Sequence, residues 1–92
     1  MYKFNEVYEM DDKKLKRVNA RKVDNLLKNK KEIIIYTIPI NLNYKSPFVN
    51  GMFEVEKNQY RDYWDCINEL HEISYYNCSK ETGNYLAFFV EV

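Results

Sequence analysis

The spacing of apolar positions along the chain changes several times, and each change marks a predicted element. Tyr2, Phe4 and Tyr8 fall at alternate positions, interrupted by Glu6, which predicts a strand over Tyr2–Tyr8. Asp11-Asp12 then offers an N-cap and negative charge for a helix start. Leu15, Val18, Val23, Leu26 and Leu27 share one broad arc of a helical wheel, so a helix is expected from about Asp12 to Asn29. Glu32–Ile40 is rich in β-branched residues and reads as a strand, with Pro39 placing it at an edge or marking its end.

A further strand region covers Phe48–Glu56 and is broken by Asn50-Gly51. That dipeptide fits either a bulge or a type I′ hairpin turn joining Tyr44–Val49 to Met52–Glu56. Asn58 can cap a second helix running to about Tyr76. Its wide apolar arc holds Tyr60, Tyr63, Trp64, Cys66, Ile67, Leu70 and Ile73, with Asp62, Asp65, Glu69 and Glu72 opposite. Tyr85–Val92 closes the chain as a strand, with Leu86, Phe88, Val90 and Val92 on one face.

The order β-α-β-β-α-β defines an α+β chain, read as a single domain over residues 1–92. Two helices on one face of a four-stranded antiparallel sheet is the economical packing, ferredoxin-like or a variant of it. A fifth strand enters if Asn50-Gly51 turns a hairpin. One feature fits badly: the first strand lies centrally in that arrangement, yet Lys3, Asn5, Glu6 and Glu9 are polar.

Composition narrows the class without naming a function. The 46% hydrophobic and 16% aromatic fractions are globular values that allow a core without staples. Cys66 and Cys78 fit no metal-ligand spacing and are too few for a disulfide scaffold, so reduced thiols in a cytoplasmic protein are expected. The first residues carry an acid where a signal peptide needs an apolar run, and Ile33–Ile40 is too short to span a bilayer. No membrane association is expected, and the sequon Asn77-Cys78-Ser79 reads as accidental. Lys, Asn, Tyr and Ile, all encoded by AT-rich codons, dominate the composition. They suit a low-GC bacterium or one of its phages or mobile elements.

Charge changes the picture more than composition does. The net charge is zero, but Lys13 to Lys31 holds nine Lys/Arg against one acid, Asp24, a local +8. Glu54 to Val92 holds three bases against eight acids, a local −5. On the expected first helix, Lys13, Lys14, Arg17, Arg21 and Lys28 fall within about a 100° arc opposite the apolar face. Such a stripe is a solvated face, a contact to an acidic protein surface, or a contact to phosphates. Tyr44, beside Lys45 in an expected loop, and Tyr75-Tyr76 at a helix end are the tyrosines expected to be exposed and to meet a partner. Gly83–Val90 has a faint likeness to an RNA-recognition aromatic stretch, but its spacing and position are wrong.

Catalytic chemistry is not indicated. His71 and Cys78 lie seven residues apart with no third group to orient them, and Cys66 sits on the packing face. The second helix's acids form a solvated run without the apolar setting that would raise one pKa. Two glycines cannot supply a phosphate cradle, so no cofactor, metal or enzyme activity is expected. The expectation is a small non-catalytic macromolecule-binding protein. The leading reading is a protein-binding regulator or inhibitor encoded by a phage or mobile element of a low-GC bacterium; the rival is a nucleic-acid-binding module using the basic first helix. Opposite charge on the two helices also suits a homodimer.

Overall fold

The computed structural model describes residues 3–29, 32–41, 52–74 and 84–92. The chain opens with a β-hairpin, β1 (Val7–Met10) and β2 (Lys13–Val18), joined by Asp11 and Asp12. Both turn residues have positive φ, 55° and 62°, as a two-residue I′ turn requires. The helix expected from Asp12 therefore begins later, as α1 (Ala20–Asn29). Asn19 caps it, its Oδ1 accepting the Lys22 amide at 2.9 Å. Upstream, Asn5 and Glu6 both oppose Arg17: the Asn5 amide donates to the Arg17 carbonyl and the Arg17 amide to the Glu6 carbonyl. With Asn5 at φ 66°, this is a G1-type bulge that ends the pairing of the edge strand.

β3 (Ile35–Asn41) follows, then the short β4 (Phe53–Glu54), a 3₁₀ turn at Lys57–Gln59, α2 (Tyr63–Ser74) and β5 (Asn84–Glu91). The second helix starts four residues later than an Asn58 cap would allow, because Tyr60 is extended and buried. Asp62 caps it instead, accepting the Asp65 amide at 3.0 Å. Asn50-Gly51 lies outside the described residues, so neither reading of it is decided.

Among the described residues the sheet has five strands, not four, in the order β1-β2-β5-β3-β4, and every neighbouring pair is antiparallel. The extra strand comes from the N-terminal hairpin. The ferredoxin-like order is not the one seen, since β5 and β3 hold the centre. Parallel strands β2 and β3 flank β5, and parallel strands β4 and β5 flank β3, so the two β-α-β units interlock. The first strand begins at Val7, later than the expected Tyr2, so Lys3, Asn5 and Glu6 precede it; β1 lies at the edge, where Glu9 is exposed. Pro39 is on β3 opposite Leu86, beyond the two residues that β4 pairs, so its missing N–H costs no ladder bond to β4.

Both helices lie on one face of the sheet, as expected. There Val23, Leu26 and Leu27 of α1 and Cys66 and Ile67 of α2 bury against Val18, Ile35, Phe88 and Val90. The opposite face gathers Leu15, Tyr36, Ile38, Ile40, Ala87 and Phe89. β5 is thus buried on both sides, which accounts for its unbroken apolar run from Tyr85 to Val90. Each fully buried Leu or Ile contributes about 1.5–3 kcal/mol relative to exposure.

Candidate functional site

The basic stripe does not form, because its residues lie on two different elements. Lys13, Lys14 and Arg17 belong to β2, and only Arg21 and Lys28 belong to α1. Lys14 is exposed and faces Glu9 across the hairpin, and Lys13 is half-buried opposite Met10. The Arg17 guanidinium lies 4.1 Å from the Phe4 ring centre and 5.4 Å from that of Tyr85. That cation–π contact ties the N-terminal turn to the sheet and gives Arg17 a structural role. Lys28 bonds Asp24 at 2.8 Å. Tyr44, Tyr75 and Tyr76 lie outside the described residues, as does Cys78.

What the structure does bring together is a groove of about 520 Å³ between α1 and α2, lined by Arg21, Asp24 and Lys28 on one side and Asp62, Tyr63 and Trp64 on the other. Its geometry follows from Asp24. One carboxylate oxygen accepts the amide of Tyr63, the first residue of α2, at 3.0 Å, and the other takes the Lys28 ammonium. The Lys28 hydrogen bond, then the Tyr63 amide, hold the Asp24 carboxyl below the usual carboxylate range. The same bond to Asp24 raises the Lys28 ammonium. The carboxylate therefore stays ionised at neutral pH and joins the two helices.

Trp64 stands at the rim of this groove with 70% of its surface exposed, the most exposed of the large apolar side chains described. It is held from below: its ring meets Tyr63 edge-on at 5.6 Å between centres, and Tyr63 meets the buried Phe88 edge-on at 5.7 Å. This aromatic ladder runs from the core to the surface. The wide apolar arc expected for the second helix had placed Trp64 among the packing residues. Once the helix starts at Tyr63, residues 63, 66, 67 and 70 face the core, and Trp64 lies about 100° from Tyr63.

The described residues show little reactive chemistry. Cys66 is fully buried. Burial, helped by the nearby Glu69 and Asp65 charges, pushes its thiol up to about 12, so it stays protonated at neutral pH. Among the described residues no group of three His, Cys, Asp or Glu is placed to hold a metal ion, and no described helix is long and apolar enough to cross a membrane. No protein-family model, no curated protein and no solved structure matches this chain.

Proposed function

We propose that this chain is a small non-catalytic binding protein that engages a protein partner through the groove at Trp64, as a regulator or inhibitor. The observation that carries the reading is the exposed Trp64, held in place by Tyr63. Trp, Tyr and Arg dominate the residues that anchor protein interfaces, and here all three line one groove. Its charged residues are two bases and two acids, so a polyanion gains no net attraction there, whereas a protein surface of mixed charge fits. A cytoplasmic setting, and origin in a phage or mobile element of a low-GC bacterium, agree with the residue usage.

Trp64 is the chain's one tryptophan, so its fluorescence reports the site directly. The free protein is expected to emit as a water-exposed indole and to shift to the blue as a captured partner is titrated in. By calorimetry, Trp64→Ala should weaken that partner by at least about 2 kcal/mol, roughly 30-fold, while Lys14→Ala changes little. Equal affinity of Trp64→Ala and the parent protein would refute the reading. So would binding to nucleic acid that weakens steeply with salt and depends on Arg21.

A further inference from the structure

A second cleft, of about 530 Å³, opens on the other side of the α1 start, between α1 and strands β2 and β5. Arg21 is the one residue it shares with the Trp64 groove. Its floor is apolar: Val18 and Val90 come from the core, joined by the half-buried Ile33. Around that floor stand three cations, Lys16 from β2 and Arg21 and Lys22 from α1. None of the three takes part in an ion pair among the described residues, where the pairs are Lys28–Asp24 and Arg61–Asp65. Glu91 is the one acidic side chain in the lining.

Three cations against one acid, Glu91, leave this concave surface net positive, and an anion seated among the cations forms charge-assisted hydrogen bonds there. The floor would cover an apolar group attached to the anion. The volume falls within the usual range for small-molecule sites, about 300–1,000 Å³. We propose that this cleft binds a small organic anion: one phosphate or carboxylate headgroup, held by Lys16, Arg21 and Lys22, on a compact apolar body resting on Val18, Ile33 and Val90. The inference does not rest on the Trp64 reading, since Lys16 and Lys22 line this cleft and not the groove.

The test is a low-salt titration of the whole ¹⁵N-labelled chain with phenyl phosphate, phenylacetate and inorganic phosphate, followed by amide chemical shifts. Saturable shifts centred on Val18, Arg21, Lys22 and Val90 are expected with phenyl phosphate or phenylacetate, at a Kd of about 1 mM or tighter. Inorganic phosphate should bind at least tenfold more weakly. The double variant Lys16→Gln/Lys22→Gln removes two charges that make no ion pair among the described residues and should lose at least tenfold in affinity, whereas Trp64→Ala should lose none. Three results each overturn the inference: shifts absent or scattered over the surface, equal binding by the double variant, or inorganic phosphate binding as tightly as the organic anions.

Discussion

Asp12→Gly, alone and together with Asp11→Asn, tests the element on which the N-terminal third depends. The two turn residues hold φ of 55° and 62°. That left-handed region costs an L-residue roughly 1–2 kcal/mol, with aspartate near the lower end because its short side chain can bond locally. Glycine takes up the same conformation without the Cβ clash. In return it enlarges the entropy of the unfolded chain, which gives back about 0.5 kcal/mol of the gain. The net expectation for Asp12→Gly is about 0.5–1 kcal/mol of added stability. Asp11→Asn moves the turn toward the favoured Asn-Gly pair and should not reverse it.

For a domain of this size, about 1 kcal/mol corresponds to a Tm rise of roughly 4–8 °C. Urea unfolding and a thermal melt at neutral pH both resolve such a change. A single helix from Asp12 to Asn29 requires the opposite outcome, since glycine at its start removes a first-turn charge and a cap for no gain. An unchanged or lowered unfolding midpoint in both variants would therefore refute the hairpin.

Two further predictions concern the core. Thr37 is 1% exposed, and its hydroxyl has no hydrogen-bond partner; Thr37→Val should add about 1 kcal/mol by replacing a desolvated hydroxyl with a methyl group. A lower urea midpoint for that variant would show that the hydroxyl is satisfied after all. Cys66 sets an alkaline limit: its thiol is raised from 9.0 to about 12 in the folded protein, so the unfolded chain loses that proton first. Its contribution is intact below pH 9 and falls as pH rises from there toward 12, by up to about 1.4 kcal/mol per pH unit. Urea unfolding between pH 8 and 10.5 should show a steeper loss in the parent than in Cys66→Val, where the buried Tyr60, also raised, leaves a smaller one; parallel slopes would rule the thiol out.

The central strands were legible because they are buried on both faces, so local composition alone decides them. Glu32–Ile40 and Tyr85–Val92 correspond to β3 (Ile35–Asn41) and β5 (Asn84–Glu91) within a few residues. Lys13–Val18 was not legible, because Leu15 and Val18 suit a helical wheel with Val23 and Leu26 as well as they suit a strand. What makes it a strand is its pairing with β5, Lys16 opposite Val90 and Val18 opposite Phe88, seventy or more residues away along the chain. Two local signals favoured the hairpin. Asn19 stands just before Ala20 as a cap, and Asp11-Asp12 are residues that tolerate positive φ. The polarity of Lys3, Asn5, Glu6 and Glu9 argued against a central first strand, and β1 (Val7–Met10) lies at the edge.

The candidate site was harder to read, because charge along the chain and charge in the fold are different quantities. The run from Lys13 to Lys31 suggests a basic face, but folding distributes its members one by one. β1 sets Glu9 against Lys14, two aromatic rings hold Arg17, and Asp24 takes Lys28. The acids of the later half are used similarly, Asp62 as a helix cap and Asp65 as acceptor of the Arg61 amide. What survives of the run among the described residues is local: Lys16, Arg21 and Lys22 around one cleft. Trp64 follows the same logic in reverse. An apolar arc wider than the face a helix can bury must leave one flank in water, and the start of α2 at Tyr63 decides that the flank is Trp64. Both places are made where α1 meets another element, so neither is visible in any single stretch of sequence. If the two proposed sites bind as argued, recognition depends on the folded junctions, and a peptide of residues 13–31 should compete for neither site.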